Sequence, residues 1–328
     1  MTQLTDFARE DTDDWDKYWS GVGGIGAFTD GGVSHPAITA YWQHFFRTLS
    51  ASPSGGSLKI IDIAGGNGAL VETAGQIYGD EQLAITSLDL SPAAIQQLTQ
   101  RFPHVNGLVA DANAIPLQDN STDLVVSQFG IEYAGADAID EAIRVVNPGG
   151  SIALMMHCEN GVIFHESRTN LTVIQRILNS HILPLAKCFF TARAELNRDG
   201  DKQRQTFQAQ AQQFSVALGV LEHCMSEFGT GAAGGFVHKL YNDLANVHES
   251  FGQYVLSEVL DWLSDMEVEL EAYKGRMQAM LDAAIAEDEF NSITEKFRHS
   301  EFALTVADKL YSPDNSHPLA WVVAASGQ

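Results

Sequence analysis

The stretch that most constrains the fold runs from Leu58 to Gly68 and reads LKIIDIAGGNG. It is a short apolar run that ends in an acid and a cluster of glycines, and the following ALVETAGQIY can form a helix. An apolar run bounded by glycines is typical of a buried parallel strand. Glycines at a strand-to-helix turn let a ligand approach the backbone, and a helix N-terminus offers free N–H groups. The sequence therefore predicts a strand, a ligand-binding turn and a helix, in this order.

Strand and helix patterns alternate regularly between residues 58 and 158. Because such alternation places helices on both faces of a parallel sheet, we predict an α/β fold with a doubly wound sheet. Right-handed crossovers bring the carboxyl ends of the strands to one edge, where ligands bind in open α/β sheets. The predicted strands are Leu58–Ile63, Ala84–Leu88, Gly107–Ala110, Leu124–Ser127 and Ser151–Met156, and the predicted helices are Gly68–Tyr78, Pro92–Arg101 and Ala136–Val146.

The N-terminal segment, residues 1–57, combines aromatic side chains with glycines. The spacing of Trp15, Tyr18 and Trp19 places three rings on one face of a helix. The glycine-rich stretch from Gly21 to Gly32 is typical of a mobile loop. We interpret this helical and glycine-rich segment as a lid, in which the rings stack on a ligand and the glycines act as a hinge. The alternative is a helix packed on the sheet edge, followed by a loose connector.

The C-terminal half predicts helices followed by a hairpin. Residues 159–299 carry long patterns of apolar residues at spacings of three and four, which indicate a large helical insertion after the core of residues 58–158. The insertion is either a substrate cap or a dimer interface, because its apolar stripes would serve burial or association equally well. Residues 300–328 return to β character and predict an antiparallel β-hairpin that completes the core sheet.

Charge and composition exclude several function classes. The formal net charge of −23 disfavours nucleic acid as a partner, because a polyanion would be repelled. No apolar run approaches the roughly 20 residues of a membrane span, and the acidic N-terminus lacks the apolar core of a signal peptide, so we expect a cytoplasmic protein that does not bind membranes. The three cysteines, Cys158, Cys188 and Cys224, form no CxxC pattern, so no metal site is predicted.

Polar residues or glycines lie at the ends of the first four predicted strands. An adenosine-type ligand needs such a set, because an acid at the second strand can accept hydrogen bonds from both ribose hydroxyls. An acid with an adjacent backbone N–H at the third strand can read the edge of an adenine, and glycines let the backbone approach the middle of the ligand. The residues are Asp62, Gly65, Gly66 and Gly68 at the first strand, Asp89 at the second, Asp111 at the third, and Gln128, Phe129 and Gly130 at the fourth.

A dinucleotide-binding turn would share the first two of these features. Val71, however, stands where the third glycine of the dinucleotide fingerprint would be. A pyrophosphate also needs a helix N-terminus free of acids, whereas Asp62 lies at the strand end just before it. An acid at this place suits a ligand with a positive charge, such as a sulfonium or ammonium group. The sequence therefore favours S-adenosylmethionine over a dinucleotide.

These residues resemble the motifs of class I S-adenosylmethionine-dependent methyltransferases, and the core is most similar to the branch of ubiquinone/menaquinone C-methyltransferases. DIAGGNG resembles the family's first motif, acid-x-Gly-x-Gly-x-Gly, with Ala64 in place of the first glycine, and LDLS resembles the second-strand motif. DANAIPLQDNSTDLVVSQFGIEY and RVVNPGGSIAL resemble the segments around the next three strands. The resemblance implies a Rossmann-like, mostly parallel seven-stranded sheet that ends in an antiparallel hairpin. It covers the core and the hairpin but not the lid or the insertion.

The resemblance also implies a cofactor, S-adenosyl-L-methionine, and a place for each part of it. The methionine part and ribose would contact the glycines of the first turn, and the methionine ammonium would lie near an acid. The implied cofactor-binding residues are Gly65, Gly66 and Gly68 for methionine and ribose, Asp62 for the ammonium, Asp89 for the ribose hydroxyls, Leu90, Asp111 and the Ala112 N–H for adenine, and Gln128 and Phe129 near the reactive methyl group.

The predicted reaction is an in-line methyl transfer to a small-molecule acceptor, in a pocket capped by the lid and the helical insertion. A general base is needed only if the attacking atom carries a proton, and His157, after the fifth strand, is the candidate. The alternative for His157 is a buried, hydrogen-bonded histidine. Tyr133 and the neighbouring Glu132 are candidates for contacting the substrate, with simple packing as the alternative for both. The alternative function is a non-catalytic S-adenosylmethionine-binding or scaffold protein, and a homodimer is the alternative use of the insertion.

Overall fold

The computed structural model describes residues 15–20, 35–49, 56–196, 201–312 and 317–327. These residues divide into two compact units. The sheet unit contains the described residues up to 166 and from 279 onward, and the helical unit contains those between 167 and 278. The predicted glycine-rich loop from Gly21 to Gly32 lies outside the described residues. The roles predicted for the four segments of the chain stay predictions.

The sheet unit is built on seven strands in the order β3-β2-β1-β4-β5-β7-β6. The first five strands pair in parallel, and β7 pairs antiparallel with both β5 and β6. The predicted doubly wound sheet with a reversed C-terminal hairpin is therefore confirmed. The strands are β1 (Leu58–Ile63), β2 (Leu83–Asp89), β3 (Asn106–Val109), β4 (Thr122–Gln128), β5 (Val146–Met156), β6 (Phe302–Tyr311) and β7 (Pro318–Gly327).

Eleven α-helices have both ends among the described residues, and the short stretch 15–19 is also helical. The helices of the parallel half alternate with its strands, as the sequence predicts. The helices are α1 (Pro36–Thr48), α2 (Ala69–Tyr78), α3 (Pro92–Arg101), α4 (Ile131–Ala134), α5 (Ala136–Val145), α6 (Val162–Asn179), α7 (Ile182–Glu195), α8 (Asp201–Phe228), α9 (Phe236–Glu249), α10 (Leu256–Asp282) and α11 (Glu287–Arg298).

Successive strand residues point to opposite faces of the sheet, and both faces are covered by helices. In one apolar cluster, Ile61 and Ile63 of β1 belong with residues of α5 and α11. In the other cluster, Ile60 of β1 belongs with residues of α1, α2 and α3. Val71, which stands at the position of the missing third glycine, is buried in this second cluster. Its side chain therefore packs in the apolar core.

The helical unit has its own apolar interior. Leu263, Leu270 and Met277, spaced seven residues apart along α10, are fully buried. A polar contact fixes the turn before α9: the Asn170 side chain accepts a hydrogen bond of 2.9 Å from the Ala233 N–H. Among the described residues, no helix has the length and apolar character required to cross a membrane.

Candidate functional site

The candidate site lies at the carboxyl end of β1, where the order of the strands in the sheet reverses. The chain continues from β1 to β2 on one side, and β4 pairs with β1 on the other side. In open α/β sheets, this topological switch point forms the ligand crevice. Ser127, the penultimate residue of β4, holds it together: its hydroxyl donates to the Ile63 carbonyl at 2.8 Å and accepts from the Ile131 N–H at 3.1 Å. The ends of β1 and β4 are thus tied to the start of α4.

Asp62 is a buried acid at the penultimate position of β1. Its side chain is only 2% exposed, and burial raises its pKa to about 8, with the charge of Asp89 adding to the effect. Its Oδ2 atom and the buried hydroxyl of Ser87 have no hydrogen-bond partner among the described residues. A Cβ atom on Gly65 would overlap the Ser87 hydroxyl and lie 2.7 Å from Asp62 Oδ2. The missing side chain of Gly65 therefore leaves a cradle beside two unsatisfied buried oxygens.

Asp89 ends β2 and is tied to the glycine turn. Its Oδ2 accepts a hydrogen bond from the Gly66 N–H at 3.0 Å, and its Oδ1 accepts one from the Ser91 N–H at 2.9 Å. Burial raises the pKa of Asp89, and these two N–H donors partly offset the rise. The two bonds orient the carboxylate at the end of β2, where the sequence predicts the ribose-binding acid.

The glycine turn has left-handed backbone at three positions. Gly66 and Gly68 adopt φ values of +52° and +87°, which glycine tolerates without steric cost. Ala64, which replaces the first glycine of the family motif, adopts φ +54° although it carries a Cβ atom. This position therefore has the conformation that explains a glycine in the motif, and Ala64 holds it under strain. Phe129, in the corresponding turn after β4, also has φ +54°.

The described part of the N-terminal segment, residues 15–20, contacts this turn. Asp16 Oδ1 accepts hydrogen bonds from the Ser91 hydroxyl at 2.7 Å and the Ala93 N–H at 3.0 Å, so it caps the N-terminus of α3. A Cβ atom on Gly66 would lie 2.7 Å from Cζ2 of Trp19, so the indole ring covers the turn. The predicted aromatic face of the segment forms, since Trp15 and Tyr18 pack edge to face with ring centroids 5.9 Å apart.

The turn after β3 carries the predicted adenine-reading residues. Asp111 is exposed, and its Oδ1 accepts a hydrogen bond of 2.9 Å from the Asn113 N–H, so it also acts as a turn former. Ala112 is buried, and Leu90, near the end of β2, is 47% exposed. Arg144 of α5 fixes the rest of the loop by donating to the carbonyls of Ile115 and Leu117, both at 2.9 Å.

The turns after β4 and β5 bring together the remaining predicted residues. The ring centroids of Phe129 and His157 lie 4.6 Å apart, and those of Tyr133 and His157 lie 5.9 Å apart, edge to face. Oε1 of Glu132 lies 2.7 Å from Nδ1 of His157 and accepts the backbone N–H of His157 at 2.8 Å. Gln128 ends β4 and is half-buried. Among the described residues, no group of three or more potential ligands is arranged to hold a metal ion.

Two residues of the site were missed by the sequence reasoning. Ser87 has a detectable signal, because it precedes Asp89 by two residues on a strand and so shares its face. Asp16 has none, because it caps a helix that begins 76 positions later in the chain. The residues present fit a ligand that brings a positively charged donor to Asp62 and hydroxyl donors to Asp89, since a buried carboxylate oxygen without a partner is costly.

Comparison with known proteins places the core in one family. Residues 61–154 match a sequence model of the family described as a methyltransferase domain. A demethylmenaquinone methyltransferase of Renibacterium salmoninarum is 32% identical over 98 residues, which are 29% of this chain and 40% of that protein. The ubiquinone/menaquinone biosynthesis C-methyltransferase UbiE of Shewanella sediminis is 26% identical over 126 residues, 36% of this chain and 49% of that protein. The chain thus spans less than half the length of either relative.

A solved structure also overlaps the chain in part. The crystal structure of a SAM-dependent methyltransferase from Aquifex aeolicus aligns with 36% of this chain and 64% of that chain. The TM-score is 0.32 and the sequence identity is 17%.

Proposed function

We propose that this chain, whose residues 61–154 form a class I S-adenosylmethionine-dependent methyltransferase domain, transfers a methyl group from S-adenosylmethionine to a small-molecule acceptor. One observation carries the proposal: Asp62, with a buried oxygen that has no hydrogen-bond partner among the described residues, lies beside the cradle at Gly65. A buried carboxylate oxygen calls for a cationic donor, which the methionine ammonium supplies. The carboxylates of Asp89 and Asp111, at the ends of the neighbouring strands, supply hydrogen-bond acceptors for the same ligand.

Each part of the cofactor has residues suited to it. The methionine part would lie against Gly65 with its ammonium at Asp62, and the ribose hydroxyls would donate to Asp89. Asp111 and the Ala112 N–H would bind the adenine, with Leu90 beside it. Gln128 and Phe129 would line the methyl end. These assignments are what the resemblance to class I S-adenosylmethionine-dependent methyltransferases implies, and the residues lie at or just after successive strand ends.

The main task of the chain's residues is to bind the cofactor and the acceptor and to orient them for the reaction. S-adenosylmethionine, when bound, supplies a methyl group on a positively charged sulfur that is already electrophilic. Holding an acceptor in line with this group converts a bimolecular reaction into an effectively unimolecular one. Asp62 would hold the methionine end of the cofactor and Asp89 the ribose in its middle, and the rings of Phe129 and Tyr133 pack on the buried ring of His157.

A small acceptor is supported by the relatives and by charge. One relative is named a demethylmenaquinone methyltransferase and the other a ubiquinone/menaquinone biosynthesis C-methyltransferase. The net charge of −23 opposes a nucleic-acid acceptor. Trp19 on the glycine turn supports the interpretation of the N-terminal segment as a lid. That the helical insertion caps the acceptor pocket stays a prediction.

Transfer of a labelled methyl group tests the proposal. The protein is incubated with methyl-tritiated S-adenosylmethionine and, in separate reactions, a small-molecule metabolite extract, total RNA, DNA and a protein extract. We expect label in the small-molecule fraction alone and none with Asp89→Ala. The matched control, Asp265→Ala, changes an exposed acid of α10 and should transfer label as the wild type does.

Two results would contradict the proposal. Label in RNA, DNA or protein would overturn the small-molecule acceptor. Binding of the cofactor without transfer to any extract, at protein concentrations near that of the acceptors, would favour the non-catalytic alternative.

A further inference from the structure

Glu132 and His157 form a buried pair on neighbouring turns of the sheet unit. Glu132 lies in α4, after β4, and His157 directly follows β5. Their side chains are 0% and 4% exposed, and Oε1 of Glu132 lies 2.7 Å from Nδ1 of His157. Because the ring of His157 also packs on Phe129, this pair borders the side of the site assigned to the reactive methyl group.

Oε1 of Glu132 takes part in two contacts with His157, and these bear on the position of the imidazole proton. Oε1 of Glu132 accepts the backbone N–H of His157 at 2.8 Å, so this oxygen acts as an acceptor. A carboxylate oxygen favours a second donor at Nδ1, and we assign the shared proton to the ring nitrogen on this ground. In the neutral ring, Nε2 then carries the lone pair, which is the state of a base.

The surroundings hold the ring and leave a carboxylate oxygen unsatisfied. Tyr133 packs edge to face on His157, and Trp15 packs edge to face on Tyr133 with centroids 5.8 Å apart. Oε2 of Glu132 is buried and has no hydrogen-bond partner among the described residues. A buried, half-satisfied carboxylate is costly for the fold, and such groups are retained where their charge is used.

We infer that Glu132 is a positioning residue that makes His157 a general base for a methyl acceptor whose attacking atom carries a proton. The inference rests on the proposed function and adds the substrate class: a hydroxyl compound or an acidic carbon acid, rather than a tertiary amine or a thioether. Glu132 fixes the tautomer of the ring and stabilises the imidazolium that forms.

The step balances without a further reactant. His157 Nε2 takes the proton from the attacking atom, and the electron pair of the broken bond forms the new bond to the methyl carbon. The electron pair of the methyl–sulfur bond stays on sulfur, whose positive charge is thereby neutralised. The positive charge moves to the imidazolium, which lies beside the Glu132 carboxylate, so no charge is left uncompensated in the buried site.

The tautomer can be measured without turnover. The protein is labelled with ¹⁵N-histidine, and the ring resonances of His157 are assigned by their loss in His157→Gln. We expect the Nδ1-protonated tautomer in the wild type. An Nε2-protonated neutral ring would overturn the inference, because that nitrogen could not accept the proton.

Glu132→Gln tests the charge separately from the geometry. The amide oxygen can still accept both N–H groups of His157, but the negative charge is gone. With the acceptor identified by label transfer, we expect kcat to fall about 100-fold, the lower end of what general bases contribute, while KM and the affinity for S-adenosylhomocysteine stay within about twofold. The control Glu159→Gln makes the same change at an exposed position and should leave kcat unchanged.

The outcomes separate this inference from the proposed function. An unchanged kcat in Glu132→Gln overturns the inference, and parallel losses in kcat, KM, cofactor affinity and thermal stability indicate a structural role and also overturn it. If Glu132→Gln does not fold, Glu132→Asp takes its place. This variant keeps the negative charge but moves it away from Nδ1, and kcat should fall by less than about 100-fold. A wild type that binds no S-adenosylhomocysteine overturns the proposed function and this inference together, whereas binding with the wrong tautomer overturns this inference alone.

Discussion

The backbone N–H of Gly66 donates a hydrogen bond of 3.0 Å to Oδ2 of Asp89. The bond joins the turn after β1 to the acid that ends β2, two strands that lie side by side in the sheet. It therefore orients the Asp89 carboxylate before any ligand arrives. Preorganisation of this kind reduces the ordering that binding would otherwise require. The cofactor residues at β1 and β2 thus form one corner rather than two separate features.

The buried Asp62 should make stability depend on pH. Its pKa is raised from 3.8 to about 8 because burial disfavours the ionised form, so the folded state keeps the proton up to a higher pH than the unfolded state does. The stability it contributes is fully present below its unfolded pKa and is lost as pH rises through about 8. Urea unfolding across this range should show a smaller decline in Asp62→Asn than in the wild type. An equal decline in both would contradict the assignment, and Asp265→Asn serves as the exposed control.

Cofactor binding should release a proton from Asp62. An ammonium group next to this carboxylate would lower its pKa from about 8, so the site loses a proton when it is filled near neutral pH. Calorimetric titration with S-adenosylhomocysteine, repeated in buffers with different ionisation enthalpies, measures this release. We expect a proton release that disappears in Asp62→Asn. Binding of the wild type without any buffer dependence would show that the ammonium does not meet Asp62.

Gly65→Ala should damage the cradle directly. The new methyl group would overlap the Ser87 hydroxyl and crowd Asp62 Oδ2, and overpacking of this kind costs about 1–3 kcal/mol. We expect a lower melting temperature and a loss of S-adenosylhomocysteine affinity, measured by calorimetry and thermal unfolding. Gly149→Ala is the matched control, because a Cβ atom there meets nothing within 4 Å. A Gly65→Ala variant that binds as the wild type does would refute the placement of the ligand at this glycine.

Asp16→Ala should release the N-terminal segment from α3. The variant loses the acceptor for the Ser91 hydroxyl and for the Ala93 N–H, and one hydrogen bond typically contributes about 0.5–1.5 kcal/mol. Hydrogen exchange of the Ala93 amide should become faster, and acrylamide should quench Trp19 more, as judged against Trp19→Phe. Unchanged exchange at Ala93 would show that this contact does not hold the segment.

The elements of the core could be predicted because their signals are local. β1 was predicted from one apolar run and has the bounds expected, and α3 begins with Ser91 and Pro92, a cap and a first-turn proline that sequence shows directly. The places of Asp62 and Asp89 also followed from the sequence, because parallel topology determines which strand ends meet. The hairpin of β6 and β7 is antiparallel, as predicted.

The remaining features depend on pairs that lie far apart in the chain. The Glu132–His157 pair joins residues 25 positions apart, and the cap by Asp16 joins residues 75 and 77 positions apart. Each of these side chains was visible as a polar residue, but its partner depends on how two turns pack. The burial of Glu132 was equally hidden, since an acid in a short helix is usually exposed.

Calorimetric titration with S-adenosylhomocysteine and, separately, with NAD tests the central claim most directly. The wild type should bind S-adenosylhomocysteine and not NAD, because the corner presents acids to a cationic ligand and Val71 fills the place of the third glycine. Asp89→Ala should lose this binding, since it removes the acceptor for the ribose hydroxyls and the partner of the Gly66 N–H. Binding of NAD without S-adenosylhomocysteine, or undiminished affinity in Asp89→Ala, would contradict the assignment of the cofactor and of its ribose site.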